Sequence, residues 1–587
     1  MKPTISPFSD GKRSAPNQIL QNRDKFWKGF AFAACLSALL WTATMAGADP
    51  VIYYVDNTIA DTHVANATPD FTTYDPVTFS TSTGTASVYK TIADVNTLHL
   101  SPGDRVLFRK GQMWRGLLTV PASGRKGSPI TYGAFGSGMA PIINGSDVVS
   151  AWTDNTTAGV ANTWSAAMST EPKIVLFNGT IGTQVGSVAA CDADKKWYWA
   201  DNKLYTYGTV NPNTTYPGQI EAGQRDYTIK MSGKNYITVT GIHATKANKV
   251  GICLDAYGAD AIGVSILGNL LDYNAEGGMW AIAYVGTISD LLVSDNEAAF
   301  NGAFGMRGNA PDATGSLTNS TWSHNLTHHN CWSSQIDYAG MKWFGRYVKN
   351  QIIEHNESHH NGAGRTYTGN TGWGIYVDTV GSGNIIRYNK VYGNLFDGFN
   401  IEKSTGVKLY YNLSYGQTTG AGIQVDTDVH NNEIYNNVCY GNRDGIWITS
   451  WESKKAGGVT GNLVKNNILA GNESRALRVL NGGENDGTNG SGNVYTYNAL
   501  GLAVANFIEW GSSVYKLTYA AWETAYGGTT HSVQADPLFI STSDFHLNAA
   551  SPCINAGVNV GLTIDYAGNE IRGLPDIGAY EYRKPNR

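Results

Sequence analysis

Hydrophobic and polar positions alternate in short runs along most of the chain, as in "NIIRYN", "VKLYYN" and "HNNEIYNN". A period of two marks strands whose side chains point to opposite faces in turn, and no 3.6-residue apolar period competes with it. Between about residues 225 and 480 an Asn-x4-Asn phrase punctuates these runs. The copies "NLLDYN", "NEAAFN", "NLTHHN", "NESHHN", "NKVYGN", "NLSYGQ", "NVCYGN" and "NILAGN" begin at Asn269, Asn296, Asn325, Asn356, Asn389, Asn412, Asn437 and Asn467. Their starts advance by 27, 29, 31, 33, 23, 25 and 30 residues. A repeat of this length, built of short strands and Gly/Asn turns, is one coil of a solenoid, and the pattern predicts an all-β parallel β-helix. Asn tolerates left-handed turns, and an amide stacked coil upon coil can pair with the next backbone. The same placement makes the Asn-x-Ser/Thr triplets at Asn325, Asn356 and Asn412 ladder positions rather than glycosylation acceptors.

The ends depart from this period. Arg23, Lys25 and Lys28 precede an apolar run from Gly29 to Trp41, and Ala46-Gly47-Ala48 follows. Residues 1–48 are expected to be a secretory signal peptide, because the run is short for a membrane span. The mature chain would then be exported to the periplasm, cell surface or medium, with no membrane attachment. Residues 49–150 read as an N-terminal cap and first coils, and 151–225 as an inserted β-rich subdomain without the Asn period. Residues 226–500 carry the repeats, and 501–587 read as last coils and a C-terminal cap. Beyond residue 48 the Cys set is 191, 253, 331, 439 and 553, odd in number and without CxxC spacing. That argues for buried hydrophobes rather than a disulfide framework or a zinc site.

Composition narrows the function. Charged residues are 15% of the 587 and the formal net charge is -5. A nucleic-acid binder would show a basic domain or stripe. Aromatics at 11% suit neutral ligands such as sugars, and a monomer acting on a polysaccharide or oligosaccharide is expected.

One strand per coil has a common form: "GICLD" (Asp255), "AFGMR" (Arg307), "GIYVD" (Asp378), "GFNIE" (Glu402), "GIQVD" (Asp426) and "GIWIT" (Thr449). If Ile375 and Val377 face the core, Tyr376 and Asp378 face out, as do Asn400 and Glu402, Gln424 and Asp426, and Trp447 and Thr449. The steps from Asp378 to Glu402 and from Glu402 to Asp426 are both 24 residues, so the acids stack. Neighbouring strands lie about 4.8 Å apart. Carboxylates that close raise at least one pKa, which separates a proton donor from an ionised partner. Retaining glycosidases place two carboxyl groups about 5–5.5 Å apart, and a two-coil step approaches the wider inverting spacing.

The phrases "PGDRVLFRKG", "GSPITYGAFG", "DPLFISTSDFHLNAASPCINAG" and "DYAGNEIRGLPDIGAYEY" resemble the entry coils and tail of secreted bacterial right-handed parallel β-helix (pectate-lyase-like) carbohydrate-active proteins. The acid row is nearest to the parallel β-helix glycosidases, such as the β-xylosidases of this fold. The resemblance implies Asp378 as nucleophile and Glu402 as general acid/base, with Asp426 in the same row.

Other residues are candidates for substrate binding. The segment "GAGRTYTGNTGW" before "GIYVD" lengthens one coil, and Tyr367 and Trp373 there can stack on sugars while Arg365 pairs with an acidic group. Tyr376, Asn400, Gln424 and Trp447 flank the acids. Lys342 in "AGMKWFG", placed in or near the acid column, and Arg307 are candidates for a carboxylate sugar, although Lys342 can equally cover apolar surface with its stem. No cofactor is required; calcium at Asp426 and Asp428 in "DTDVHNN" is an alternative. His328, His329, His355, His359 and His360 cluster in two turns, either as a metal set or, more blandly, as surface turn residues. The reading is therefore an exported glycoside hydrolase. Its rivals are a polysaccharide lyase or uronan C5-epimerase and a non-catalytic glycan-binding or adhesin solenoid.

Overall fold

The alternating runs form strands, and the strands stack in parallel. The structure is a computed structural model that describes residues 49–584 apart from 60–70, 82–83, 85, 156–159, 334–335, 365–370, 451–457, 481–491, 504–506 and 512–513. The expected signal peptide lies outside the described residues. Each coil supplies strands to three parallel faces. One is an eleven-stranded sheet running from Met113–Arg115 to Ile468–Ala470. A second carries the acids and includes Ala339–Phe344, Trp373–Asp378, Phe399–Glu402, Ala421–Asp426, Asp444–Thr449 and Arg475–Val479. The third joins the second through the long strand Gly277–Ser289. The chain thus has a parallel β-helix fold.

The acid-bearing strands have clear parity. Ile375, Val377, Phe399, Ile401, Ile423, Val425, Ile446 and Ile448 point into the coil and are buried in one continuous apolar core. The same core takes in Ile92 and Val95 of the short helix Ile92–Asn96 and Trp522 of the helix Tyr519–Tyr526. Residues 146–223 build two small sheets around Trp152, Phe177 and Trp197, one antiparallel and one antiparallel but for a parallel edge pair. The C-terminal segment lays Phe545, Leu547, Cys553 and Ile577 against Tyr388, Tyr411 and Leu413 on the outside of the coils. All five described Cys are buried and free, as their spacing predicts.

Two long Asn ladders hold the turns, with a shorter one from Asn432 through Asn462 to Asn493. Asn389 accepts at Oδ1 from the Asn356 backbone N–H (2.9 Å) and side-chain amide (3.0 Å), and donates to the carbonyls of Ile353 and Arg387. Asn412 serves Asn389 in the same way one coil on. Gln417 takes an Asn position in the second ladder, accepting from the Asn394 N–H at 2.9 Å. Asn325, Asn356 and Asn412 are buried within these ladders, so their triplets offer no free amide.

The residue before a ladder Asn is left-handed: φ is 55° at His324 and at His355, 53° at His329 and 52° at His360. This conformation costs about 1–2 kcal/mol for a residue with a Cβ, and the buried amide bonds offset it. It also turns successive side chains outward into register. His329 and His360 stack at 5.4 Å, His328 and His359 at 5.1 Å, and His355 on Tyr388 at 5.0 Å. The histidines are members of aromatic stacks that continue into Tyr392 and Tyr415. Among the described residues they form no group with metal-ligand geometry.

Candidate functional site

The site lies on the outward face of the second sheet. Backbone register pairs Asp378 with Glu402 and Glu402 with Asp426, which places the three acids on consecutive coils. Asp255 occupies the same column farther along, through Ile282, Asn309 and Phe344. Arg307 and Lys342 do not: they pair with each other and with Tyr376, in the column two residues earlier. The "AFGMR" alignment fails because Gly308 takes the inward position that Val377 fills in its own coil. The Trp343 side chain occupies the space there, within 2.8 Å of where a Gly308 Cβ would stand. A missing apolar side chain hid one inward position, and the strand runs two residues past Arg307.

Beside the acids is a cleft of about 470 Å³ lined by Glu402, Asp426, Asp337, Asn400, Gln424, Trp373, Phe396, Thr419, Trp447, Arg443 and Arg478. Trp373 forms a wall, packed on Tyr376 at 4.7 Å and on Phe396 at 5.4 Å. Its indole N–H donates to Asp397 (3.0 Å), a fully buried carboxylate that also accepts from the Ala421 N–H at 2.6 Å. Burial pushes Asp397 up to about 7 against those two bonds.

The three stacked acids have different surroundings. Asp378 accepts from Thr379 at 2.8 Å and lies 3.4 Å from the Lys342 ammonium. Burial raises its pKa above the ordinary carboxylate range, with Lys342 pulling it down and Glu402 pushing it up. Glu402 accepts from the Tyr376 hydroxyl on one oxygen and meets Lys403 at 3.0 Å on the other. Asp426 accepts from Thr427 at 2.5 Å, and burial holds it well above the usual range, reinforced by the Glu402 charge. Closely spaced like charges in a buried row favour at least one proton on the row.

Carboxylate oxygens of Asp337, Asp378 and Glu402 lie within 4.8 Å of one another, close enough to share a divalent ion. The Lys342 ammonium already sits 2.7 Å from Asp337 and 3.4 Å from Asp378, supplying a positive charge there. The calcium position expected at Asp426 and Asp428 is not this cluster. Asp428 turns to His430 (2.9 Å), because it follows a left-handed residue, Thr427, and leaves the column.

Trp373, Asn400, Gln424 and Trp447 line the cleft as their parity predicts. Tyr376 is buried, and its hydroxyl serves Glu402 instead of offering a face to a ligand. Lys342 is buried between two acids, and Arg307 is packed among Trp280, Phe304 and Tyr338, each 5.3–5.7 Å from its guanidinium. Neither Lys342 nor Arg307 lines the cleft. Arg365 and Tyr367 lie outside the described residues. Asp337, Asp397, Arg443 and Arg478 escaped sequence reasoning. Carrying the Tyr376–Asn400–Gln424–Trp447 column one coil farther would have found Arg478.

No family model matches the chain, and no curated protein sequence matches it. Solved structures do. XylC in complex with xylose is 14% identical over 71% of this chain and 75% of that one, with a TM-score of 0.50. The lacto-N-biosidase GH136 from Eubacterium ramulus is 14% identical over 78% and 67%, with a TM-score of 0.40. Pectate lyase Pel9A is 14% identical over 91% and 96%, with a TM-score of 0.40. At this identity the likeness to XylC concerns architecture, and the chain shares with it the parallel β-helix fold.

Proposed function

We propose that the protein is an exported glycoside hydrolase that cleaves a polysaccharide or oligosaccharide with retention of configuration, Asp378 and Glu402 being the reacting pair. The observation that carries this is the acid row beside an aromatic-walled cleft: Glu402 lines the cleft, and Asp378, outside the lining, has an oxygen within 4.8 Å of a Glu402 oxygen. That separation is near the retaining value of about 5–5.5 Å and short of the inverting one. The cleft also contains two buried acceptors, Asn400 Oδ1 and Gln424 Oε1, with no hydrogen-bond partner among the described residues. Unpaired buried acceptors favour a ligand rich in donors, and sugar hydroxyls supply them. XylC, of the same fold, was solved with xylose, which agrees with a sugar ligand.

In this reading the Asp378 carboxylate attacks the anomeric carbon while Glu402 gives a proton to the departing glycosidic oxygen. Lys342 stabilises the ionised nucleophile. Water, deprotonated by Glu402, then hydrolyses the glycosyl-enzyme ester and returns the proton. Tyr376 and Lys403 fix Glu402 on both oxygens. Asp426, buried without an ion-pair partner among the described residues, is held well above the usual carboxylate range, which favours its neutral form and limits the negative charge of the row.

A second assignment uses Glu402 as nucleophile and Asp426 as acid, favoured by the cleft lining, which includes both. Aryl glycosides separate the two. If Glu402 is the acid/base, Glu402→Gln retains turnover of substrates with good leaving groups and loses it on poor ones, while Asp378→Asn loses both. A selective leaving-group effect in Asp426→Asn instead transfers the acid role to Asp426. A lyase needs an unneutralised base at C5, and Lys342 is held by two carboxylates. Ultraviolet-absorbing unsaturated products would establish a lyase, and no products at all across a polysaccharide panel would leave the glycan-binding reading.

A further inference from the structure

Among the described residues, the far end of the cleft carries a positive surplus that the hydrolytic pair does not use. Arg443, Arg475 and Arg478 stand there against two carboxylates, Asp444 and Glu509. Arg475 bridges both acids at 2.9 Å, and Arg478 Nε meets Glu509 at 2.8 Å. Arg443 Nε is 3.7 Å from Asp444. Arg443 and Arg478 line the cleft. The Arg478 guanidinium lies over Trp447, 4.3 Å from the ring centroid, which fixes its plane. Its terminal nitrogens have no recorded acceptor among the described residues. Burial depresses its basicity below the usual guanidinium value, so the cation is held in partly dry surroundings. Arg478 pairs in register with Trp447, and Trp447 with Gln424, so it stands two coils beyond Asp426, about 10 Å along the sheet. Trp447 fills the interval, and the unpaired acceptors Asn400 and Gln424 precede it on the strands of Glu402 and Asp426.

We infer that Arg478 and Arg443 form a subsite for the carboxylate of a uronic acid residue farther along the saccharide from the scissile bond, Arg478 standing three coils, about 14 Å, beyond Glu402. This rests on the cleft being the saccharide site and adds that the substrate is an acidic glycan. A planar guanidinium fork with its stacking face fixed matches a carboxylate in two parallel hydrogen bonds. Among the described residues the surplus is one positive charge, which fits one anionic group. The subsite differs from the one the sequence suggested at Lys342 and Arg307: Lys342 is paired with Asp337 and Asp378, and Arg307 packs among Trp280, Phe304 and Tyr338 outside the cleft lining.

The test compares glucuronic-acid-substituted xylo-oligosaccharides and oligogalacturonides with their carboxyl-reduced counterparts on the full protein. Binding is measured by calorimetry, and turnover by reducing ends. The carboxylate form of one family should bind about 10-fold tighter or more than its reduced form, as a charge-assisted bidentate pair implies. Arg478→Gln should bring that ratio to about one. Equal affinities in the wild type, no binding of any carboxylate form, or an undiminished ratio in a folded Arg478→Gln would overturn the subsite. If Arg478→Gln does not melt cooperatively, Arg443→Gln decides: a lower ratio upholds the subsite and an unchanged ratio overturns it. Carboxylate-selective binding without turnover would sink the hydrolase reading and leave the subsite standing.

Discussion

Replacing Lys342 by Met tests the electrostatics of the reacting pair. The ammonium lies 3.4 Å from Asp378 and 2.7 Å from Asp337. Two unit charges 3.4 Å apart interact by about 5 kcal/mol at an effective dielectric constant of 20, and by about 1.2 kcal/mol in bulk water. One pKa unit corresponds to about 1.4 kcal/mol, so removing Lys342 should raise Asp378 by about 1 to 3.5 units. Loss of the counter-charge on Asp337 pushes the same way. Asp378 already sits above the ordinary carboxylate range because it is buried. A nucleophile must be ionised, so the acidic limb of kcat/KM against pH should move up by about 2 units. Lys342→Arg should keep the limb near its original place. The assay is a pH–rate profile on an aryl glycoside, with melting curves at each pH to establish folding. A folded Lys342→Met enzyme whose acidic limb moves by less than about 0.5 unit would refute the role given to this ion pair.

Asn389→Ala removes a buried acceptor from two donors and leaves the Asn356 backbone N–H unpaired. It should cost about 3 kcal/mol, read as a lower denaturation midpoint, and a loss below about 1 kcal/mol would contradict the ladder's stabilising role. His329 and His359 are lowered to about 4 and about 3 by burial and by neighbouring imidazoles. The unfolded chain binds protons at these sites from about pH 6.5 downward while the folded one does not, so stability should fall as pH drops from about 6.5 toward 4. His329→Asn combined with His359→Asn should flatten that slope, and an unchanged slope would assign the acid lability elsewhere. Because Lys342 neutralises the Asp337–Asp378 side of the acidic cluster, exhaustive chelation should leave melting temperature and activity unchanged; a loss restored by calcium would show that the cluster needs a divalent ion.

The sequence exposed the coil, the ladders and the acid row because each rests on a period that the chain repeats. Asn389 and Asn412, or Asp378 and Glu402, are separated by one coil length, and that separation is their geometry. Arg307 was misplaced where the period lapses, since Gly308 surrenders its inward space to Trp343 from the next coil. Asp337 reaches the site from outside the repeating strands, and Asp397 acts through Trp373, so no strand alignment could place either one. The chemistry of Asp426 was hidden differently. Its sequence motif matches that of Asp378, and only burial and the missing counter-ion distinguish them.

Stacking one strand per coil also gives the cleft a unit of length. Asp378, Glu402 with Asn400, Asp426 with Gln424, Trp447 and Arg478 follow one another at the inter-strand step of about 4.8 Å, on successive turns of the chain. Adding or deleting one whole turn leaves both long Asn ladders continuous while moving Arg478 one step relative to Glu402. The solenoid thereby works as a ruler whose graduations are set by coil number, and the reach of the site along a saccharide can change without any change in its chemical groups.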